Sequence, residues 1–167
     1  MSASVRLAVF DVDGVMTDGR IAYTDAGDEI KTFHTRDGLG LKALQHNGIA
    51  VAIITARTSP IVARRAAELG IEHLLQGRED KGAALEELTT ALAITGEQCA
   101  YTGDDLVDWP AMRHCGFKCA PADAAEWIRD RADFVTTSRG GHGAVREVCE
   151  RILADQGLLE RWQGRFE

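Results

Sequence analysis

Two aspartates, Asp11 and Asp13, stand one residue apart in FDVDGVMTDG (residues 10–19), directly after an apolar run that begins at Val5. Burying an unpaired carboxylate is costly, so a D-x-D at the end of a buried strand needs a partner. Three further apolar runs lead to groups of complementary chemistry. AIIT ends in Thr55, with Arg57 two residues on; Lys81 opens a helical stretch after HLLQG; CAYT runs into Gly103, Asp104 and Asp105, with Asp108 beyond. Each group alone has an ordinary reading as a turn, a cap or a solvated charge. The set, in this order at successive strand ends, is hard to obtain by accident. Carboxylates with a hard cation favour Mg2+, which keeps several waters and takes few protein oxygens. A phosphomonoester dianion facing several aspartates is repelled unless Mg2+ and Lys81 neutralise that field. One carboxylate can attack phosphorus to give an aspartyl-phosphate; another can protonate the departing alkoxide and then activate water. The pattern points to phosphoryl transfer.

These groups meet only if the elements carrying them end on one edge. After the first strand, RIAYTDAGDEIKTFHT alternates in two short segments around Asp25–Asp28 and Gly27, which predicts a β-hairpin flap over about residues 20–34. A helix follows over 37–46, closed by Asn47-Gly48, then a strand over 49–55. The next helix, 59–70, has Ser59 as N-cap, Pro60 in its first turn and Gly70 as its stop. Beyond it the pattern predicts strands at 73–77, 98–104, 116–119 and 133–137, separated by helices at 80–93, near 106–115 and near 124–130, with a last helix from 143 to about 154. Such alternation implies an α/β fold, a Rossmann-like parallel sheet with helices on both faces, whose strand C-termini line the ligand crevice. We expect one domain over 1–167, with a tail over about 156–167 that has no evident place in the core.

At 167 residues the chain can bury a real core, and its composition is that of a globular protein. A formal charge of −7 argues against a nucleic-acid module, which usually carries a basic face. No apolar stretch reaches the ~18 residues of a membrane span, and the run near the N-terminus is too short for a signal peptide. The expected setting is cytoplasmic. Cys99, Cys115, Cys119 and Cys149 lack zinc-site spacing and read as buried reduced thiols.

The residues DVDGV, Thr55, Lys81 and GDDLVD resemble the four motifs of the haloacid dehalogenase superfamily of phosphohydrolases. GDDLVDWP and GGHGAVREVC narrow the likeness to its sugar-acid phosphate phosphatases, from about Val5 to Ala154. The resemblance implies Asp11 as nucleophile and Mg2+ ligand, and Asp13 as acid/base that also lends its backbone carbonyl to the metal. It implies Thr55 and Lys81 as holders of the phosphoryl oxygens, Asp104 as the third metal ligand, Asp105 as the residue orienting Lys81, and Asp108 on a metal-bound water. Arg57 suits the substrate's carboxylate or phosphate, and in relatives an arginine at the position of Arg65 reaches an adjacent subunit's site. Met16, Ala56 and His142 depart from the pattern, where Leu, Gly and Arg are common.

The expected reaction is Mg2+-dependent hydrolysis of a phosphorylated eight-carbon sugar acid. The resemblance supplies the pathway, outer-membrane polysaccharide synthesis. Two alternatives stand beside it: a nine-carbon sialic-acid-type 9-phosphate, whose phosphatases tend to have Glu where Arg57 stands, and a catalytically idle oligomerisation module. The hairpin is too short to close a crevice alone, so Ile21, Tyr23, Ile30 and Phe33 are expected to pack on another copy. The resemblance implies a homotetramer with sites completed by a neighbour.

Overall fold

The computed structural model describes residues 4–167. Strand β1 (Leu7–Phe10) leads through a tight turn to a two-stranded antiparallel hairpin, β2 (Ala22–Tyr23) and β3 (Glu29–Ile30), and then to α1 (Thr35–His46). Strands and helices alternate from there: β4 (Ala50–Ile54), α2 (Pro60–Leu69), β5 (His73–Leu75), α3 (Lys81–Leu92), β6 (Cys99–Thr102), α4 (Trp109–Met112), β7 (Phe117–Ala120), α5 (Glu126–Arg129), β8 (Phe134–Val135), α6 (Ala144–Asp155) and α7 (Leu159–Gln163). The main sheet has the order β5-β4-β1-β6-β7-β8, and every pairing in it is parallel. No helix among the described residues is long and apolar enough to cross a membrane.

β1 shows how the sequence builds the layers. All four of its residues are fully buried, and successive side chains point to opposite faces. Ala8 and Phe10 join one cluster with Leu41 and Leu44 of α1, Val62 and Ala66 of α2, and Val148 and Ile152 of α6. Leu7 and Val9 join the other, with Ala84 and Leu85 of α3, Met112 of α4 and Ile128 beyond. Each large apolar side chain so buried contributes about 1.5–3 kcal/mol, which is why this strand can hold two aspartates at its exit. The chain winds outward from β1 through β4 to β5, then returns to β6 and winds the other way. The reversal falls between β1 and β6, the position where open α/β sheets form their ligand crevice.

Several boundaries differ from the sequence reading. α1 starts at Thr35, where His34 is the N-cap and accepts from the Arg36 N–H at 3.2 Å. Asp37 instead accepts from the backbone N–H of Arg146 at 2.9 Å, tying α1 to α6. The helix expected near 106–115 is a 3-10 turn, Leu106–Asp108, followed by the four residues of α4. Ser59 does precede α2, with Pro60 first and Gly70 left-handed at the stop, but its hydroxyl caps nothing. The tail does have a place in the core. Trp162 of α7 is 7% exposed within the α1/α6 cluster, against the His46 ring at a centroid distance of 5.3 Å. Phe33 also packs on its own core, whereas Ile21, Tyr23 and Ile30 face solvent. The four cysteines are free and buried.

Candidate active site

The parallel register sets the site. Phe10 pairs with Thr102, and the Asp11 N–H donates to the Thr102 carbonyl at 3.1 Å, so Asp11 and the Gly103–Asp104 turn leave the sheet side by side. On the other flank Thr55 leaves β4 buried, its N–H donating to the Leu75 carbonyl. After Asp11 the backbone wraps over itself: Gly14 has a φ of +91°, open to glycine at little cost. Thr17 holds this turn, its hydroxyl oxygen accepting from the N–H groups of Gly14 and Gly19 at 3.3 and 3.2 Å. A Cβ on Gly14 would collide with the Asp104 carboxylate, so the β1 and β6 loops touch where the acidic groups converge.

Lys81 is the cation of the cluster. Asp80 fixes the start of α3 by accepting from the Ala83 N–H at 3.0 Å, and the Lys81 side chain runs inward, 2% exposed. Its Nζ lies 2.8 Å from Asp11 Oδ1 and 2.7 Å from Asp108 Oδ1. Asp108 Oδ1 also accepts from the Tyr101 hydroxyl at 3.2 Å, and its Oδ2 accepts from the N–H groups of Asp104 and Asp105. Asp105 therefore does not orient Lys81; Asp108 does. The 3-10 turn swings Asp105 outward, where its carboxylate accepts from the Leu106 N–H and caps the turn. Both oxygens of Asp108 are thus engaged by protein donors, and it lies in the same acidic cluster as Asp11 and Asp104.

Charge in the cluster does not balance. Carboxylate oxygens of Asp11, Asp104 and Asp108 lie within 4.8 Å of one another, and Lys81 is the ammonium facing them. Burial, followed by repulsion from Asp108, pushes the Asp11 carboxyl well above its ordinary range despite Lys81. Burial, followed by repulsion from Asp11 and Asp108, does the same to Asp104. Lys81 is itself lowered by burial, but Asp11 and Asp108 outweigh this and hold it charged. The Tyr101 phenol, raised by burial first, stays a neutral donor. Three crowded carboxylates against one ammonium form an oxygen-only donor set with excess negative charge, and that fits a hard divalent cation such as Mg2+. Asp11 and Asp104 are the side chains that would hold it.

The remaining expected residues lie further out. Asp13 follows Asp11 in the turn, and its Oδ1 accepts from Lys31 Nζ at 2.6 Å. Arg57 is half exposed beneath the hairpin, donating to the Tyr23 hydroxyl at 3.1 Å, with Glu29 at 3.7 Å. Arg65 on α2 contacts Glu68 at 3.6 Å, the Phe33 ring and Gly38 of its own chain, not the carboxylate cluster. Sequence reasoning missed Thr17, Lys31 and Tyr101. Thr17 and Tyr101 sit in apolar surroundings and read as packing; Lys31 sits in an alternating hairpin and reads as a solvated charge.

Comparison with known proteins agrees with this geometry. Residues 73–148 match the family described as haloacid dehalogenase-like hydrolase. The chain is 47% identical over 162 residues to 3-deoxy-D-manno-octulosonate 8-phosphate phosphatase KdsC of Escherichia coli K12, covering 97% of this chain and 86% of that protein. Among solved structures, the enzyme of that name from Moraxella catarrhalis, in complex with magnesium ion, phosphate ion and KDO, superposes with a TM-score of 0.96 at 48% identity, covering 98% of this chain and 94% of that one. The Yersinia pestis enzyme gives a TM-score of 0.93 at 48% identity, over 95% and 86% of the two chains. With its parallel sheet, its acidic cluster around Lys81 and these relatives, the chain belongs to the haloacid dehalogenase-like hydrolases.

Proposed function

We propose that this chain hydrolyses 3-deoxy-D-manno-octulosonate 8-phosphate to the free sugar acid and phosphate, with Mg2+ as cofactor. The observation that carries the reading is the buried Lys81 bridging Asp11 and Asp108 beside Asp104, in a chain so similar to phosphatases of that name. In this reading Asp11 is the nucleophile: its free oxygen bonds to phosphorus as the bond to the leaving oxygen breaks. Asp13 donates the proton that the leaving oxygen needs, then takes one from the water that attacks the aspartyl-phosphate. Thr55 and Lys81 hold the phosphoryl oxygens, and Asp108, not Asp105, keeps Lys81 in place. Asp11, Asp104 and the backbone carbonyl of Asp13 would hold Mg2+, which would supply positive charge to offset that of the phosphoryl group. Arg57, under the hairpin, is the candidate for the substrate's carboxylate.

The working unit in this reading is a homotetramer in the cytoplasm. The hairpin's strands are two residues each and leave Ile21, Tyr23 and Ile30 exposed, which supports cover by a neighbour. Arg65 is then the residue that reaches the neighbour's site. Four buried free thiols suit a reducing compartment. An idle scaffold gains no support, because the charge set is intact. A nine-carbon substrate gains none, because the similar proteins are named for the eight-carbon one and Arg57 stands where Glu is common in nine-carbon phosphatases. Phosphate release from the eight-carbon substrate tests the function. We expect turnover with Mg2+ that is lost on chelation and in Asp11→Asn. Release that survives both, or none from any sugar-acid phosphate, overturns the reading.

A further inference from the structure

The hairpin carries a lysine that the proposed reaction leaves unused. Lys31 directly follows β3, in a ribbon whose apolar residues face solvent, yet its side chain is only 2% exposed. Its Nζ lies 2.6 Å from Asp13 Oδ1 and 3.1 Å from Glu29 Oε1. Glu29 is anchored in turn, its Oε2 accepting from the Ser59 hydroxyl at 2.8 Å. Ser59 spends that hydroxyl on the hairpin although it stands where it could cap α2. A continuous polar chain thus runs from Asp13 through Lys31 and Glu29 to Ser59, joining the turn after β1 to the start of α2 by way of the hairpin.

The terminal torsion of an aspartate is broad and nearly two-fold, so its two oxygens exchange places easily unless one is held. Lys31 holds Oδ1. We propose that Lys31 is a positioning residue for phosphoryl transfer, fixing Asp13 so that Oδ2 is the oxygen presented to the leaving group. The inference rests on the phosphatase reading above. In the step concerned, a bond forms between Asp11 and phosphorus and the bond from phosphorus to the sugar oxygen breaks. The proton on Asp13 Oδ2 passes to that departing oxygen, which leaves as the free alcohol, and Asp13 remains as a carboxylate. Lys31 touches neither substrate nor phosphorus in this step; it acts through Asp13.

The leaving group separates this role from a merely structural one. A sugar alkoxide is a poor leaving group and needs the proton, whereas p-nitrophenolate departs without it. The quantity to compare is kcat/KM, which ends at leaving-group departure and excludes hydrolysis of the aspartyl-phosphate. For Lys31→Met we expect a fall of about 10- to 100-fold on the sugar-acid phosphate and less than about threefold on p-nitrophenyl phosphate, since misaiming a proton donor costs part of its usual contribution. Lys31→Arg, which restores a donor to Oδ1, should recover most of that difference. If Lys31→Met does not fold, Glu29→Gln loosens the same lysine and reads the same ratio, with a smaller change expected. Equal losses on both substrates, or none on either, overturn the role of Lys31 while leaving the phosphatase reading intact. Wild-type protein inert toward both substrates overturns both.

Discussion

Asp11 and Asp104 leave neighbouring strands with their carboxyls raised by burial first and then by repulsion, from Asp108 on Asp11 and from Asp11 and Asp108 on Asp104. Each should fail in its own way when altered. Asp11→Asn is nearly isosteric, so the fold should persist, but an amide is a poor nucleophile. Turnover should drop by about 10³-fold or more, and retention within tenfold in purified protein would refute the assignment. Asp13→Asn should cost about 10²–10⁴-fold through lost proton transfer and keep Mg2+ affinity, because a backbone carbonyl survives the change. Asp104→Ala should lose that affinity, and calorimetric titration of Mg2+ into the two variants separates them. Lys81→Met leaves Asp11 and Asp108 buried without their cation and should destabilise the metal-free protein by about 3–5 kcal/mol, read from urea unfolding in EDTA. The types of these residues were legible, because a charge at the exit of a buried strand demands a reason. Their partners were not. Whether Asp105 or Asp108 meets Lys81 depends on a three-residue 3-10 turn, and nothing in GDDLVD distinguishes it from the start of an ordinary helix.

The short loops between elements carry the site, and two of them make sharp demands. Gly14 combines a φ of +91° with contact against Asp104, and Gly140 packs so closely that a Cβ there would collide with the Gly14 carbonyl oxygen. Gly14→Ala should therefore push Asp104 out of place and reduce Mg2+ affinity, while the far-ultraviolet circular dichroism stays unchanged. Glu147, in the first turn of α6, holds the loop that contains Gly140. Its carboxylate accepts from the N–H groups of Thr137 and Ser138, both at 2.8 Å, and from the Thr137 hydroxyl at 2.9 Å. Burial raises this carboxyl, but those hydrogen bonds outweigh it and hold the pKa below its ordinary 4.5. Its contribution to stability is thus present above the unfolded-state value and is lost as pH falls through the folded one. Glu147→Gln should flatten the decline of stability below pH 4.5, as measured by thermal melts across that range. Order and type of the elements were readable because Pro60, Gly70 and Asn47-Gly48 punctuate the pattern. The pieces near 106–112 were not, because WPAM offers too few residues for a period to show.

At the scale of the whole molecule, the exposed Ile21, Tyr23 and Ile30 on a two-stranded ribbon should be covered by another copy. Sedimentation of the purified protein should give a tetramer, and Arg65→Ala should weaken turnover of the sugar-acid substrate; a fully active monomer at assay concentration overturns both. The layered sheet was legible from alternation alone. The burial of Trp162 was not, because a lone aromatic in a polar tail becomes core only through the pocket that α1 and α6 build for it. That layered core also distributes the cysteines: Cys119 and Cys149 lie in the α1/α6 cluster, Cys99 and Cys115 in the α3/α4 cluster. Burial pushes the Cys99 thiol up to about 11 and the other three also upward. Only a thiolate attacks an alkylating reagent, so the native molecule should be almost invisible to one, and each alkylation event should mark an opening of the fold. With no engineered probe, the labelling rate under excess reagent becomes a clock for unfolding. Peptide mapping of the first cysteine marked then tells which side of the sheet came apart first.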